Sequence, residues 1–314
     1  FPGLGAGAET LARYINELSD GSLKVQVFGA NELVPPLGVF DYVSSGGAEM
    51  GHSGAYYWKG KTEAAQFFSS VPFGMTAQEM NSWLYYGDGL SLWEEVYKDF
   101  NLVPRPAGNT GVQMGGWFNK EINSTDDLKG LKMRIPGLGG EVLARAGGTP
   151  FTLAGAEIFT SLQTGVIDAT EWVGPYNDRA FGLHKAAKYY YYPGWHEPGP
   201  SLECIINKDA YSRLSEPQQA IIDIACKAAN IDMISDYMSK NYQALEYFKK
   251  EKVEIKKFPN EVIEKLHKIS DEVLIDLSQK NILAKKVYDS YIDFLNRVRP
   301  WTLISEDGYL NSVK

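Results

Sequence analysis

The longest helical segment predicted in this chain lies in its C-terminal third and limits which folds are possible. Ser215-Glu-Pro217 has the pattern of a helix start, and the residues after it can continue as one helix to about Lys250. At about 1.5 Å per residue such a helix is roughly 50 Å long, enough to lie behind two lobes. We expect one apolar face on this helix, made of Ile221, Ile224, Ala225, Ala228, Ile231 and Met238.

The rest of the chain alternates between helical and strand patterns. A helix predicted over residues 7–18 precedes an alternating strand at 23–28, and similar helix–strand pairs recur further along. This order predicts an α/β layer fold with parallel strands, whose ligand lies at their carboxyl ends. The glycine-rich segment 107–118 indicates a crossing between two lobes, and 201–206 a strand that returns to the first lobe.

The charge of the chain argues against one large class of partner. The sequence has 31 Lys and Arg against 39 Asp and Glu, a net charge of −8. Nucleic-acid binding is not expected, because such a chain has no basic field to displace counterions. No run of 18 apolar residues occurs, so no membrane span is expected. Cys204 and Cys226 both lie in apolar segments, which favours two buried free thiols over a disulfide.

Arg134 is the first candidate binding residue. It ends an apolar strand just before Pro136-Gly137, in the segment 133–140 that reads MRIPGLGG. A guanidinium binds a carboxylate through two parallel hydrogen bonds, and an unpaired guanidinium is costly to bury. Two hypotheses follow: Arg134 holds an anionic ligand, or it pairs with an Asp or Glu of the protein itself.

Acidic and amide side chains in three further segments form a candidate cation site. Glu171 follows a predicted strand, Glu197 lies in a Trp-His-Glu-Pro-Gly loop, and Gln113 lies in the crossing segment. With a backbone carbonyl, these hard oxygen ligands suit Na⁺ or Ca²⁺ better than zinc. Alternatively, Glu197 bonds a backbone amide in its own turn, or Glu171 and Glu197 are the acid pair of a glycosidase. Histidine ligation is not expected, since His196 adjoins Glu197 and neighbouring side chains point in different directions.

Several segments in combination resemble a known family. They are 32–36 (ELVPP), 49–53 (EMGHS), 55–58 (AYYW), 71–74 (VPFG), 108–118 (GNTGVQMGGWF), 128–136 (LKGLKMRIP), 168–172 (DATEW) and 190–198 (YYYPGWHEP). With these segments the chain resembles the substrate-binding proteins of tripartite ATP-independent periplasmic (TRAP) transporters. The resemblance is to the subgroup that binds 2-oxo and 2-hydroxy monocarboxylates such as pyruvate and lactate, and it extends from Phe1 to about Trp301.

The resemblance implies a periplasmic binding protein fold, with two α/β lobes that close on a ligand in the cleft between them. It implies that Arg134 clamps the carboxylate of the ligand. It also implies that Gln113, Glu171, the carbonyl of Trp172 and Glu197 hold a cation, Na⁺ or Ca²⁺. This cation would bridge to the carboxylate and to the 2-oxo or 2-hydroxy oxygen of the acid.

Further expectations from the resemblance concern the pocket and the partners. Tyr57 and Asn109 match pocket positions, and Gln113 and Trp172 are expected to contact the substrate as well. The family implies a periplasmic receptor rather than an enzyme, which passes its acid to the membrane subunits of the transporter. Similar proteins can exchange a C-terminal helix to form a homodimer, and 285–301 is the candidate segment.

The expected lobe boundaries follow from the same resemblance. Lobe I is predicted to comprise 1–112 and 203–250, lobe II 113–202 and 251–284, and 285–314 the C-terminal helix and tail. The family normally has a strand and a signal peptide before the Phe-Pro-Gly segment, so a processed or trimmed amino terminus is expected. Two alternatives stay open: a receptor for a dicarboxylate or an aromatic acid, and a carboxylate-pair hydrolase.

Overall fold

The computed structural model describes residues 2–313, in which helices and strands alternate along the chain. The α-helices are α1 (Leu4–Leu18), α2 (Val39–Ser44), α3 (Ala77–Tyr86), α4 (Gly89–Tyr97), α5 (Gly137–Arg145), α6 (Gly155–Gln163), α7 (Pro175–Ala180), α8 (Lys208–Ser212), α9 (Glu216–Lys250), α10 (Asn260–Ser278), α11 (Ile282–Thr302) and α12 (Gly308–Ser312). The strands are β1 (Met50–Ser53), β2 (Leu102–Asn109), β3 (Gly116–Phe118), β4 (Lys132–Arg134), β5 (Thr149–Phe151), β6 (Ala169–Thr170), β7 (Tyr189–Tyr192), β8 (Ser201–Asn207) and β9 (Glu254–Lys257). Phe1 and Lys314, the ends of the predicted lobe I and C-terminal tail, lie outside the described residues.

The described strands form two sheets, one in each lobe. The first has the order β1-β8-β2 and is antiparallel throughout. The second has the order β5-β4-β6-β3-β7-β9, in which β3 alone runs against its neighbours. The two-lobed α/β fold is confirmed, but the prediction of parallel strands is wrong for the first sheet and for β3. The strands β3 and β8 enter their sheets from the other lobe, so no helical crossover forces them parallel to their neighbours.

Local sequence explains where α3 and α9 begin. A capping box formed by Thr76 and Glu79 opens α3, where the Thr76 N–H donates to Glu79 Oε2 at 2.9 Å. In the same way the Ser215 N–H donates to Gln218 Oε1 at 3.1 Å in front of α9. Pro217 stands in the first turn of α9, where its missing N–H has no cost.

Two crossing segments connect the lobes and are bonded to each other. The chain leaves the first sheet after β2 and returns to it through the loop between β7 and β8. The Gln113 N–H donates to the carbonyl of Glu197 at 3.1 Å, and the Thr110 N–H to that of Pro200 at 3.4 Å. A Cβ on Gly194 would lie 2.1 Å from the carbonyl oxygen of Gln113, so this close approach requires glycine. The predicted crossing at 107–118 is therefore where the two lobes meet.

Helix α9 has the predicted length of 35 residues and packs against α1, β2 and α7. Its predicted apolar face is wrong, because Ile224, Ile231 and Met238 are 55%, 55% and 76% exposed. The buried face instead comprises Ile222, Ala225, Cys226, Ala229, Asn230, Met233, Tyr237, Ala244 and Phe248. Apolar residues occur on more than one side of α9, so spacing alone did not identify the packed side.

The predicted strand at 23–28 is wrong, because these residues form no strand and belong to neither sheet. The side chain of Asn16 bonds the backbone of Val25 on both sides: Nδ2 donates to the carbonyl at 3.0 Å, and the Val25 N–H donates to Oδ1 at 2.7 Å. An asparagine on α1 thus takes the place of a neighbouring strand at this residue.

The remaining predictions about the whole chain have clear outcomes. Cys204 and Cys226 are both buried and free, as predicted. None of the helices within residues 2–313 combines the length and apolarity that crossing a bilayer requires. Helix α10 packs on α5 and α11, whereas α11 packs back on α3 and α4. The C-terminal helices thus connect elements of both lobes.

Candidate functional site

Arg134 and Glu171 meet at two adjacent strand ends of the second sheet. Arg134 ends β4, and Glu171 follows β6, the parallel neighbour of β4. The Glu171 N–H donates to the carbonyl of Arg134 at 3.2 Å, which extends the pairing by one residue. The carboxyl ends of these parallel strands bring a fixed cation and an acid together, as expected for this part of an α/β sheet.

The guanidinium of Arg134 is 1% exposed and has several partners. Nη1 donates to Glu171 Oε1 and, at 3.3 Å, to the Glu171 carbonyl, while Nη2 donates to the Tyr57 hydroxyl at 3.1 Å. The guanidinium also lies 5.1 Å from the ring centre of Trp172. Burial lowers the pKa of Arg134, but the charge of Glu171 and other neighbours raises it overall, so the side chain stays cationic. Arg134 therefore has an internal partner, as one of the two hypotheses held.

A second acid lies beside this pair, in the loop between β7 and β8. Glu197 is 4% exposed, and its N–H donates to the carbonyl of Gly194 at 3.2 Å. Burial, together with the charge of Glu171, raises the pKa of Glu197 well above its ordinary value. Two carboxylates in a dry site repel each other, so a cation placed between them would be strongly favoured.

His196 completes a cluster that sequence reasoning missed. Glu171, His196 and Glu197 each offer one potential ligand atom within 4.8 Å of the others, and all three residues are buried. His196 Nε2 lies 3.4 Å from Glu171 Oε2. The expectation that His196 and Glu197 point apart holds for an extended strand, but these residues lie at a turn, where successive side chains can share one side. The available sequence signal for this cluster was that His196 directly precedes the candidate ligand Glu197.

Two of the oxygen atoms that a cation would use are buried and unsatisfied. Within residues 2–313, Gln113 Oε1 and Glu171 Oε2 are buried without a hydrogen-bond partner. The Gln113 amide is oriented by Nε2, which donates to Thr110 Oγ1 at 3.1 Å. The carbonyl of Trp172 is the next peptide oxygen after Glu171. An unpaired buried oxygen costs about 1–3 kcal/mol, so this oxygen-rich donor set fits a hard cation.

Two tyrosine side chains of the first lobe border the cluster, whereas the predicted pocket residue Asn109 bonds the crossing segments. Tyr57 lies in a 3₁₀ turn and accepts its hydrogen bond from Arg134. Tyr56 was not predicted: burial, followed by the charge of Glu197, raises its pKa well above the ordinary value, which places it in the same field. Asn109 uses its side chain on the crossing segment, where Nδ2 donates to the Gly199 carbonyl at 3.1 Å and Oδ1 accepts from the Gly111 N–H at 2.8 Å.

Comparison with known proteins identifies the family of this chain. Residues 4–281 match the family described as DctP, bacterial extracellular solute-binding protein, family 7. A monocarboxylate 2-oxoacid-binding periplasmic protein of Nostoc sp. is 44% identical over 305 residues, which cover 97% of this chain and 84% of that protein.

Two solved structures extend the comparison. A TRAP periplasmic solute-binding protein of Pseudoalteromonas atlantica with bound sodium and pyruvate is 44% identical, with a TM-score of 0.96 and coverage of 99% of this chain and 95% of that one. A TRAP solute-binding protein of Bordetella bronchiseptica is 36% identical, with a TM-score of 0.97 and coverage of 99% and 92%. It is a mixed-occupancy dimer with copurified calcium and picolinate in one site and an apo site.

These matches decide between a receptor and an enzyme. The family comprises solute-binding receptors, so the hydrolase alternative for Glu171 and Glu197 is dropped. The ion pair between Glu171 and Arg134 agrees with this conclusion, because the Glu171 carboxylate already has a cationic partner. This chain belongs to family 7 of the bacterial extracellular solute-binding proteins, the DctP family of TRAP solute receptors.

Proposed function

We propose that this protein is a periplasmic receptor for a short 2-oxo or 2-hydroxy monocarboxylic acid of the pyruvate or lactate type. The acid binds together with Na⁺ or Ca²⁺ and is passed to the membrane subunits of a TRAP transporter. The observation that carries this proposal is the buried group of Arg134, Glu171 and Glu197, in which opposite charges adjoin unsatisfied oxygens. The relatives at 44% identity, one named for 2-oxoacids and one solved with pyruvate, support the same class of acid.

Charge balance explains why the acid and the cation should bind together. With Glu171 and Glu197 both ionised, as a bound cation requires, the two acids contribute −2 and Arg134 contributes +1, so the protein's own charge in this group is −1. A monocarboxylate alone would make it −2, whereas Na⁺ returns it to −1 and Ca²⁺ to zero. Burying an uncompensated charge costs roughly several kcal/mol, even after the protein relaxes around it. Each ligand should therefore strengthen the binding of the other.

We assign the two sides of the site to the two ligands. Arg134 donates from Nη2 to the carboxylate of the acid, and Tyr57 holds the guanidinium in place from the first lobe. Glu171 connects the two sides, because Oε1 accepts from Arg134 and Oε2 is available to a cation.

The other proposed cation ligands are Gln113 Oε1, the Trp172 carbonyl and a Glu197 oxygen. The cation would supply a second positive charge for the acid and a ligand position for its 2-oxo or 2-hydroxy oxygen. The role of Asn109 is indirect in this proposal, since both ends of its amide bond the crossing backbone.

Entry of the acid requires the lobes to separate. Gln113, Arg134, Glu171 and Glu197 are all at least 94% buried, so the described conformation is closed over the site. We propose the lobe boundaries expected from the sequence, with 1–112 and 203–250 moving against 113–202 and 251–284. The crossing segments then act as the hinge.

A calorimetric screen tests the proposal. The purified protein is treated with a chelator, dialysed against a choline buffer, and titrated with pyruvate, lactate, picolinate and malonate, each with and without Na⁺ or Ca²⁺. We expect pyruvate or lactate to bind at least about tenfold more tightly with the cation, which corresponds to roughly 1.4 kcal/mol of coupling. Equal affinity in choline would contradict the cation site, and preference for malonate or picolinate would identify another acid.

We further propose that the C-terminal helix mediates a homodimer. Apolar side chains are exposed along the end of α11 and through α12, namely Trp301, Leu303, Ile304, Tyr309, Leu310 and Val313. A run of exposed apolar side chains such as this one is typical of an interface, and the Bordetella relative is a dimer. Light scattering should give twice the chain mass of 34.9 kDa for the native protein and the monomer mass for Ile304→Glu. A native monomer at micromolar concentration would contradict the dimer.

A further inference from the structure

A buried aspartate lies directly behind the candidate cation site. Asp178 is 1% exposed and accepts three hydrogen bonds: from Trp117 Nε1 at 2.9 Å, from the Tyr190 hydroxyl at 2.7 Å and from the Val173 N–H at 3.3 Å. Trp117 and Tyr190 are paired residues of β3 and β7, and their rings stack at 4.0 Å. The carboxylate thus connects the middle of the second sheet to the loop that follows β6.

That loop carries two of the proposed cation ligands. Val173 follows these two ligands, and both of its backbone polar groups are hydrogen-bonded. Its N–H donates to Asp178, and its carbonyl accepts from the Met114 N–H at 3.0 Å. The peptide unit that contains the Trp172 carbonyl ends in this same Val173 N–H. A hydrogen bond at the N–H end of a peptide fixes the direction of the carbonyl at the other end, since the peptide group is planar.

We propose that Asp178 is a positioning residue of the cation site, which aims the Trp172 carbonyl at the ion through the Val173 N–H. The inference rests on the proposed function, because it concerns the ion of that site. Asp178 does not touch the ion or the acid. Its effect is the one expected of a group that orients a metal ligand, whose loss typically costs about 10–100-fold in metal affinity.

The first lobe contains a matched control. Glu203 on β8 is fully buried and accepts from an indole N–H, Trp58 Nε1, and from a phenol, the Tyr97 hydroxyl at 2.7 Å. Its surroundings therefore resemble those of Asp178, but it makes no hydrogen bond to the Glu171–Val173 loop. Glu203→Gln should reproduce the cost of altering such a carboxylate without changing the geometry of a cation ligand.

The test compares Asp178→Asn with Glu203→Gln in the full chain. Ca²⁺ is titrated at saturating pyruvate, and pyruvate is titrated at saturating Ca²⁺, so that the two affinities are separated. We expect Asp178→Asn to raise the Ca²⁺ dissociation constant about tenfold or more and to change the pyruvate constant at saturating Ca²⁺ much less. Glu203→Gln should leave the Ca²⁺ constant within about twofold of the native value.

Three outcomes separate the possible failures. A native Ca²⁺ constant in folded Asp178→Asn overturns the positioning role, and so does an equal change in both constants. If the native protein shows no linkage between Ca²⁺ and pyruvate, the proposed function fails instead. If Asp178→Asn does not fold, Tyr190→Phe removes one donor to the same carboxylate and keeps the ring stack. That variant should weaken Ca²⁺ binding selectively, and an unchanged constant would overturn the inference.

Discussion

Replacing Arg134 by methionine tests the electrostatic core of the site. The substitution keeps most of the side-chain volume but removes the guanidinium that bonds Glu171 and Tyr57. It leaves Glu171 and Glu197 buried within 4.8 Å of each other with no fixed cation between them. Breaking a buried ion pair by removing one partner costs about 3–5 kcal/mol, and we expect a loss of unfolding free energy in that range.

A double-mutant cycle identifies the source of that loss. Glu171→Gln removes the charge that Arg134→Met leaves unpaired. The double variant should therefore lose less unfolding free energy than the sum of the two single losses. The expected coupling is about 2–3 kcal/mol, the upper part of the range for contacting residues. Urea unfolding in a chelated choline buffer measures all four proteins. Ca²⁺ should restore part of the stability of Arg134→Met, because it neutralises the same carboxylates.

Binding provides the second measurement of the same substitution. Arg134→Met removes the charge-assisted hydrogen bond from Nη2 to the acid, and such a bond contributes about 1.5–3 kcal/mol. That range corresponds to a loss of pyruvate affinity of about 10- to 150-fold. Additive stability losses in the cycle would refute the assigned ion pair. Near-native pyruvate affinity in folded Arg134→Met would refute the carboxylate clamp.

The remaining predictions concern the lobe cores and the cation. Burial raises the pKa of Glu203 to about 7. The native state therefore binds a proton at pH values where the unfolded state does not, so stability decreases as pH rises from about 4.5 to 7. In urea unfolding the native protein should lose about 3 kcal/mol of unfolding free energy relative to Glu203→Gln over this window, and parallel pH profiles of the two proteins would contradict the prediction. Gln113→Met should weaken Ca²⁺ binding by about tenfold in calorimetry, because one oxygen ligand is lost, and an unchanged Ca²⁺ constant would remove Gln113 from the ligand set. On α9, Met233→Ala should cost about 2–5 kcal/mol and the exposed Met238→Ala under about 0.5 kcal/mol, and equal costs would show that the packed face is misassigned.

Local chemistry in the sequence was sufficient for much of the fold. The start of α9 at Ser215, its length and the strand that ends at Arg134 were all predicted, because each depends on neighbours within a few residues. The family resemblance supplied the two lobes and the class of receptor. It did so through segments that combine glycine, proline and aromatic residues at lobe crossings and strand ends, where few other residues fit.

Only the tertiary structure decided which groups come together. The contact between Arg134 and Glu171 depends on β4 lying beside β6, and the proximity of His196 depends on a turn that returns from β7. The packed face of α9 was decided by the elements it meets, since apolar residues on several sides offered more than one choice. Asn16 replaced a partner strand for Val25 by side-chain hydrogen bonds, which hydrophobic alternation does not encode.

The sequence by itself determined the local elements and the kinds of charge available, because these follow from short-range chemistry. The positions of those charges relative to one another depend on contacts between residues far apart in the chain, and only the folded lobes establish them.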